Sequence, residues 1–154
     1  MSIEDDIAFL ERVPTLGLLG RDALRILAIG ADSRYLHDGN VLFSQGEPAD
    51  AGYVVQEGLL SLDPVRGKAE PMMVGPGTLL GELALLTETT RPVTATAVEP
   101  STVIRITRTL FLKMLEGYPE AAVRLRDSFV ARAEHSESDM HRVRHVLEPN
   151  HGQT

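Results

Sequence analysis

The sequence has 154 residues, 15 Lys and Arg against 22 Asp and Glu, a formal net charge of −7 and no cysteine. That length suits one domain able to bury a core without covalent staples, and the lack of cysteine excludes a disulfide frame or a thiolate metal site. A chain this acidic repels phosphate backbones, so nucleic acid is not an expected partner, and any anion must be held at one focused site.

The first ten residues carry no basic patch ahead of an apolar run, so they do not read as a signal peptide. No apolar stretch approaches the ~20 residues a membrane helix needs, and a cytoplasmic protein is expected. Residues 1–31 read as two short helices. Ile7, Leu10 and Val13, then Leu24, Leu27 and Ala28, recur at helical spacing. Pro14, Gly17 and Gly20 separate the two, Asp22 stands near the second start, and Gly30 sits where a helix would stop.

Residues 32–106 read as β structure. Asp38-Gly39, Gly46-Glu47-Pro48, Glu57-Gly58, Arg66-Gly67 and Gly75-Pro76-Gly77 are turn signals. Short apolar runs lie between them, at 41–43, 53–55 and 59–62, and two further strands are expected at 94–98 and 102–106. Many short strands with glycine-rich turns point to a sandwich, barrel or jelly roll. Helices return over residues 107–148, with Thr107 as a cap, Gly117 as a stop and Pro119 opening a last helix with no breaker before Pro149. Residues 149–154 are a tail.

One segment departs from the strand pattern. Leu83 to Leu86 places good helix formers in the middle of the β region. A short helical turn there leaves its first N–H groups without helical partners and partially positive, which suits an anion. Gly81, just before it, lets backbone and ligand approach closely. Arg91 adds a guanidinium beside the turn. Glu82 cannot face a phosphate favourably, but it can accept a hydrogen bond from a sugar hydroxyl. An N–H turn, one arginine and one carboxylate therefore fit an anion with a hydroxyl alongside, such as ribose bearing a singly charged phosphate.

Gly81-Glu82-Leu83-Ala84-Leu85-Leu86, four further residues and then Arg91 resembles the phosphate-binding cassette of cyclic-nucleotide-binding domains, the sensors of protein kinase A regulatory subunits and the catabolite activator protein. Gly75-Pro76-Gly77, Thr94 to Ala97, Gly46 to Asp50 and Glu57-Gly58 are also similar to the family, so the likeness spans roughly residues 7–130. The resemblance implies a mainly β fold: an eight-stranded double-stranded β-helix, a jelly-roll-like β-roll, with N-terminal helices and a long C-terminal helix. It implies cAMP or cGMP as the ligand, without a metal. Glu82 would hold the ribose 2′-hydroxyl, and Arg91 with the Ala84 N–H would hold the cyclic phosphate. Gly81, Leu83, Pro92 and Val93 complete the nucleotide contacts, and Val74, Leu80 and Val93 form an apolar wall.

Pro92 departs from the family, which places a small or hydroxylic residue after the arginine and uses its N–H on the phosphate. Proline has no N–H. The loss of one charge-assisted hydrogen bond is worth about 1.5–3 kcal/mol, or about 10- to 150-fold in affinity. Pro92 also biases Arg91 toward extended backbone, which recovers part of that loss, so the site is expected to be weakened rather than abolished. cGMP-preferring relatives often carry threonine here, which favours cAMP for this chain. The alternative is a degenerate member with an empty pocket, kept as a dimerisation or docking unit.

The last helix carries Phe129, Ala133, Ser136, Met140, Val143 and Leu147 at alternating four- and three-residue steps. This heptad-like seam, on a helix long for the domain, predicts a homodimer. Its charges nearly balance, unlike a DNA-binding helix. His141 and His145 share a helical face, but without further ligands they read as solvated. There is no nucleophile elbow or acid–base constellation, so no enzyme is expected. No output module is expected before Thr154, and the ligand would act by biasing the last helix toward a second subunit or an unknown effector protein.

Overall fold

The computed structural model describes residues 2–131. Helices α1 (Ile3–Glu11) and α2 (Arg21–Gly30) lead in, joined through a 3₁₀ turn at Leu16–Leu18. Ser2 caps α1 by accepting from the Asp5 N–H, while the Asp5 carboxylate accepts from the Ser2 N–H. Ten strands follow, then α3 (Arg108–Gly117) and α4 (Pro119–Ala131). Thr107 caps α3 by accepting from the Leu110 N–H, and Pro119 opens α4. The remainder of the expected long helix, the seam beyond Phe129, the pair His141 and His145, and the tail lie outside the described residues.

All the strand pairings found are antiparallel. One sheet runs β1 (Asp32–Leu36), β10 (Ser101–Thr107), β4 (Ala51–Glu57), β7 (Leu79–Leu80). The facing sheet runs β2 (Val41–Phe43), β9 (Thr94–Ala97), β5 (Leu60–Asp63), β6 (Met72–Val74). A separate ribbon pairs β3 (Pro48–Ala49) with β8 (Thr89–Thr90). The architecture is the expected mainly β jelly roll with flanking helices. The described residues form ten strands, where the resemblance implied eight; the two-stranded ribbon is separate from the two four-stranded sheets.

Strands β4 and β10 are buried on both faces, so alternate side chains serve two different cores. Ala51, Tyr53 and Val55 of β4 and Val103 of β10 point into the roll, with Leu36, Phe43, Leu60, Leu80, Ala95 and Ala97. Val54, Ile104 and Ile106 point outward, against Ile7, Leu10, Leu24 and Leu27 of the leading helices and Phe111, Met114, Leu125 and Phe129 of the trailing ones. The helical periodicity read at 7, 10, 13, 24 and 27 is therefore the stripe that covers the outer face of this sheet.

Gly58 links β4 to β5 and shows how tightly the roll is closed. Its φ is +98°, and a Cβ there would lie 2.1 Å from Ser101 Oγ and 2.6 Å from Ser101 Cα. The Ser101 hydroxyl in turn accepts from the Leu59 N–H and donates to the Glu99 carbonyl. Gly58→Ala is expected to lower unfolding free energy by about 3 kcal/mol or more, combining the left-handed backbone penalty with a collision against backbone. Chemical denaturation measures this, and a loss below about 1 kcal/mol would contradict the packing described.

Candidate functional site

The site grows from the edge strand β7. Tyr53 pairs with Leu80, and the chain then leaves the sheet at Gly81. Gly81 has φ +79°, and a Cβ there would lie 2.5 Å from Arg91 Nη1 and 3.2 Å from the Ala51 carbonyl. Glycine is required twice over, by the backbone conformation and by the guanidinium lying against it. The expected helical turn is a 3₁₀ turn at Leu83–Leu85. Its Ala84, Leu85 and Leu86 N–H groups donate to the carbonyls of Gly81, Glu82 and Leu83. The Ala84 N–H assigned to the phosphate thus closes the turn itself. Leu83 packs half-buried on the helical core, where Leu85 and Leu86 are fully buried.

Arg91 is held by its own backbone. Its N–H donates to the Glu47 carbonyl at 2.8 Å, and its carbonyl accepts from the Gly46 N–H at 2.8 Å. The pinned main chain sends the side chain into the roll, where the guanidinium carbon lies 4.4 Å from the Phe43 ring centroid and 5.5 Å from that of Tyr53. The two rings are 6.0 Å apart. Arg91 is only 4% exposed, which excludes a solvated surface pair. Its Nε and Nη1 are buried without a hydrogen-bond partner. Burial pulls its pKa below the ordinary guanidinium value, against opposing pulls from Tyr53, Asp50 and Glu47. The ring faces compensate the charge in part, but they offer no acceptor to the N–H groups.

Leu80 belongs to the same interior cluster, and Val74 and Val93 pack half-buried against it. The structure therefore gathers Arg91, Gly81 and the three wall residues around the roll interior. Pro92 is exposed at the rim. Glu82 goes elsewhere: its carboxylate accepts a hydrogen bond from the Thr15 hydroxyl, on the linkage between the leading helices. The side chains of Glu82 and Arg91 thus leave the cassette toward different neighbours.

Four further residues were not evident from the sequence. Phe43 and Tyr53 read only as strand residues, and their ring faces become a guanidinium platform once β2 and β4 face each other. Arg108, at the start of α3, donates from Nη1 to the carbonyls of Ala49, Ala84 and Thr87 at 3.0, 3.2 and 2.9 Å. It ties the end of the 3₁₀ turn to β3 and α3. Thr15 stood in a region read only as a break between helices.

Comparison with known proteins identifies the family and the fold. The family model for the cyclic nucleotide-binding domain matches residues 33–118, more than half of the chain. The chain is similar to a cyclic nucleotide-binding-like protein from Brucella abortus, with 38% identity, a TM-score of 0.64, and coverage of 73% of this chain and 98% of that one. It is similar to the N-terminal domain of a transcriptional regulator from Streptomyces coelicolor A3(2), with 28% identity, a TM-score of 0.70 and coverage of 80% and 89%. Among curated proteins, it is 33% identical over 100 residues to the lysophospholipase NTE1 of Coccidioides immitis, matching 63% of this chain and spanning 6% of that protein's length.

The unpartnered guanidinium generates a prediction for the protein without ligand. Arg91→Met keeps an unbranched, flexible side chain of shorter reach and removes a buried charge whose Nε and Nη1 lack an acceptor. It is expected to leave unfolding free energy unchanged or raise it by about 1–3 kcal/mol. Thermal and urea unfolding check this; a marked loss of stability would mean that Arg91 is satisfied within the fold.

Proposed function

This chain belongs to the cyclic nucleotide-binding domain family, and from that premise we propose that it is a non-catalytic sensor of a cyclic nucleotide, cAMP rather than cGMP, whose occupancy biases the C-terminal helices. The observation that carries the reading is the Arg91 guanidinium, buried in an apolar roll with Nε and Nη1 unpartnered. A buried donor without an acceptor is a standing free-energy cost that a bound anion removes. A cyclic phosphodiester is singly charged, matching one guanidinium, and its nucleoside brings apolar surface to the wall of Val74, Leu80 and Val93.

In this reading Glu82 turns to the ribose hydroxyl, and the Ala84 N–H is drawn to the phosphate. Arg108 passes the change on, since it touches both the 3₁₀ turn and the base of α3. The output falls on α4, toward a second copy of this chain or an effector protein. The lysophospholipase activity named for the fungal relatives is said of proteins of which this chain spans 6%, and no catalytic role is proposed here. No helix among the described residues is long and apolar enough to cross a membrane.

A second reading rests on Pro92, which supplies no N–H, and on the engagement of Glu82 by Thr15. It takes the chain as a family member whose roll stays empty and serves docking or dimerisation. Calorimetric titration with cAMP and cGMP separates the two. The sensor reading expects saturable binding, tighter for cAMP, weakened by about 2–5 kcal/mol in Arg91→Ala and strengthened about 10-fold in Pro92→Ala. No heat and no thermal shift at millimolar nucleotide would overturn it. Under the second reading, Pro92→Ala creates binding where the wild type has none.

A further inference from the structure

We propose that Thr15 is an affinity-determining residue of the nucleotide site, an internal competitor that holds Glu82 until the sugar hydroxyl of a ligand displaces it. The inference deepens the sensor reading and rests on it. Three observations carry it.

The first is the contact itself. Thr15 Oγ1 donates to Glu82 Oε2 across 67 residues of sequence, joining the linkage between the leading helices to the cassette. It is a hydroxyl-to-carboxylate bond, the same chemistry that a ribose hydroxyl would offer. Binding of a ribonucleotide through Glu82 therefore exchanges one such bond for another.

The second is the backbone of Thr15. Its φ is +76° and ψ −52°, and it is the one non-glycine residue with positive φ among the described residues. A β-branched side chain in this region is a genuine outlier, and such conformations persist where the surroundings over-determine them and cluster at switch points. The surroundings here are specific. The Thr15 carbonyl accepts from the Leu18 N–H, Leu16 is fully buried, and Arg124 of α4 donates through Nε to the Leu18 carbonyl and through Nη2 to that of Leu19. The segment that presents the hydroxyl is fastened to the C-terminal helix.

The third is direction. Thr15 adjoins Leu16 of the helical core, whereas Arg91 lies over Phe43 and Tyr53 inside the roll. A ligand whose phosphate sits on Arg91 draws the Glu82 carboxylate away from Thr15. The net gain from the sugar hydroxyl is small while Thr15 competes, and large once it does not. A ligand lacking that hydroxyl has no reason to break the Thr15 bond.

The test is titration of wild type, Thr15→Val and Thr15→Ser with cAMP and with 2′-deoxy-cAMP. Valine is isosteric and equally β-branched, so it removes the donor without changing the backbone demand. Thr15→Val is expected to bind cAMP about 10-fold more tightly than wild type, with affinity for 2′-deoxy-cAMP unchanged. Thr15→Ser keeps the donor and is expected to match wild type. Thr15→Gly removes the donor while relieving the positive φ, and is expected to show the same selective gain should valine disturb the fold. Binding of cAMP by Thr15→Val with none by wild type overturns the sensor reading of the natural chain and the inference with it. Wild-type binding with equal cAMP affinity in the valine and glycine variants, or a gain shared equally by the deoxy ligand, overturns the inference alone. Absence of binding by every protein overturns the sensor reading and the inference with it.

Discussion

A guanidinium enclosed by hydrocarbon and aromatic faces is the constraint around which this site is arranged. Left to itself, an arginine side chain extends to keep its head in water. Arg91 does not, because its main chain is pinned on both sides to the Gly46-Glu47 turn and its side chain has only the roll interior to occupy. Several local features follow from that one placement. Position 81 is glycine under two demands, its φ of +79° and the guanidinium nitrogen that a Cβ would have to displace. Positions 43 and 53 provide the ring faces that make an unpaired cation tolerable. Stability given up at such a point is characteristic of functional sites, which hold groups that are satisfied only by a ligand.

The two-core architecture determines how that constraint reaches the rest of the molecule. Strands β4 and β10 carry side chains into both the roll and the helical layer, so the two cores share walls. The cassette lies across the same boundary. Leu80 is buried in the roll, while Leu85 and Leu86, a few residues later, are buried among the helices. Packed cores respond to displacement by switching arrangements rather than by deforming smoothly. In the sensor reading proposed above, the route from the cassette to α3 would run through Arg108, and that to the leading helices through Glu82 and Thr15. The polar contacts along this route join backbone carbonyls and side chains far apart in sequence.

Much of the architecture was legible in the sequence because it depends on local chemistry. The apolar spacing at 7, 10, 24 and 27 demanded helices, and the glycine-marked turns demanded short strands. Thr107 and Pro119 marked helix starts that the structure contains. The ribbon of β3 and β8 escaped notice, since Pro48-Ala49 and Thr89-Thr90 are too short to show alternation and pair only through distant contacts. Likewise β1, Asp-Ser-Arg-Tyr-Leu, is exposed along most of its length and carries no apolar pattern. Within the cassette, the residue types and spacing identified Gly81, Glu82 and Arg91 together, but not the direction that each side chain takes.

The sequence by itself determined the family, the jelly-roll class and the residues of the cassette, because turn glycines, helix caps and fixed spacings act over a few bonds and leave a direct imprint on the order of amino acids. Only the tertiary structure decided that Arg91 is buried against Phe43 and Tyr53 with nitrogen atoms unmatched, that Glu82 is engaged by Thr15, and that Arg108 and Arg124 fasten the trailing helices to the cassette and the leading linkage. Each of these depends on side chains separated by tens of residues meeting once the sheets close and the helices dock. Burial, and hence the energetic meaning of a charge, is a property of that closed packing and has no counterpart in the linear order.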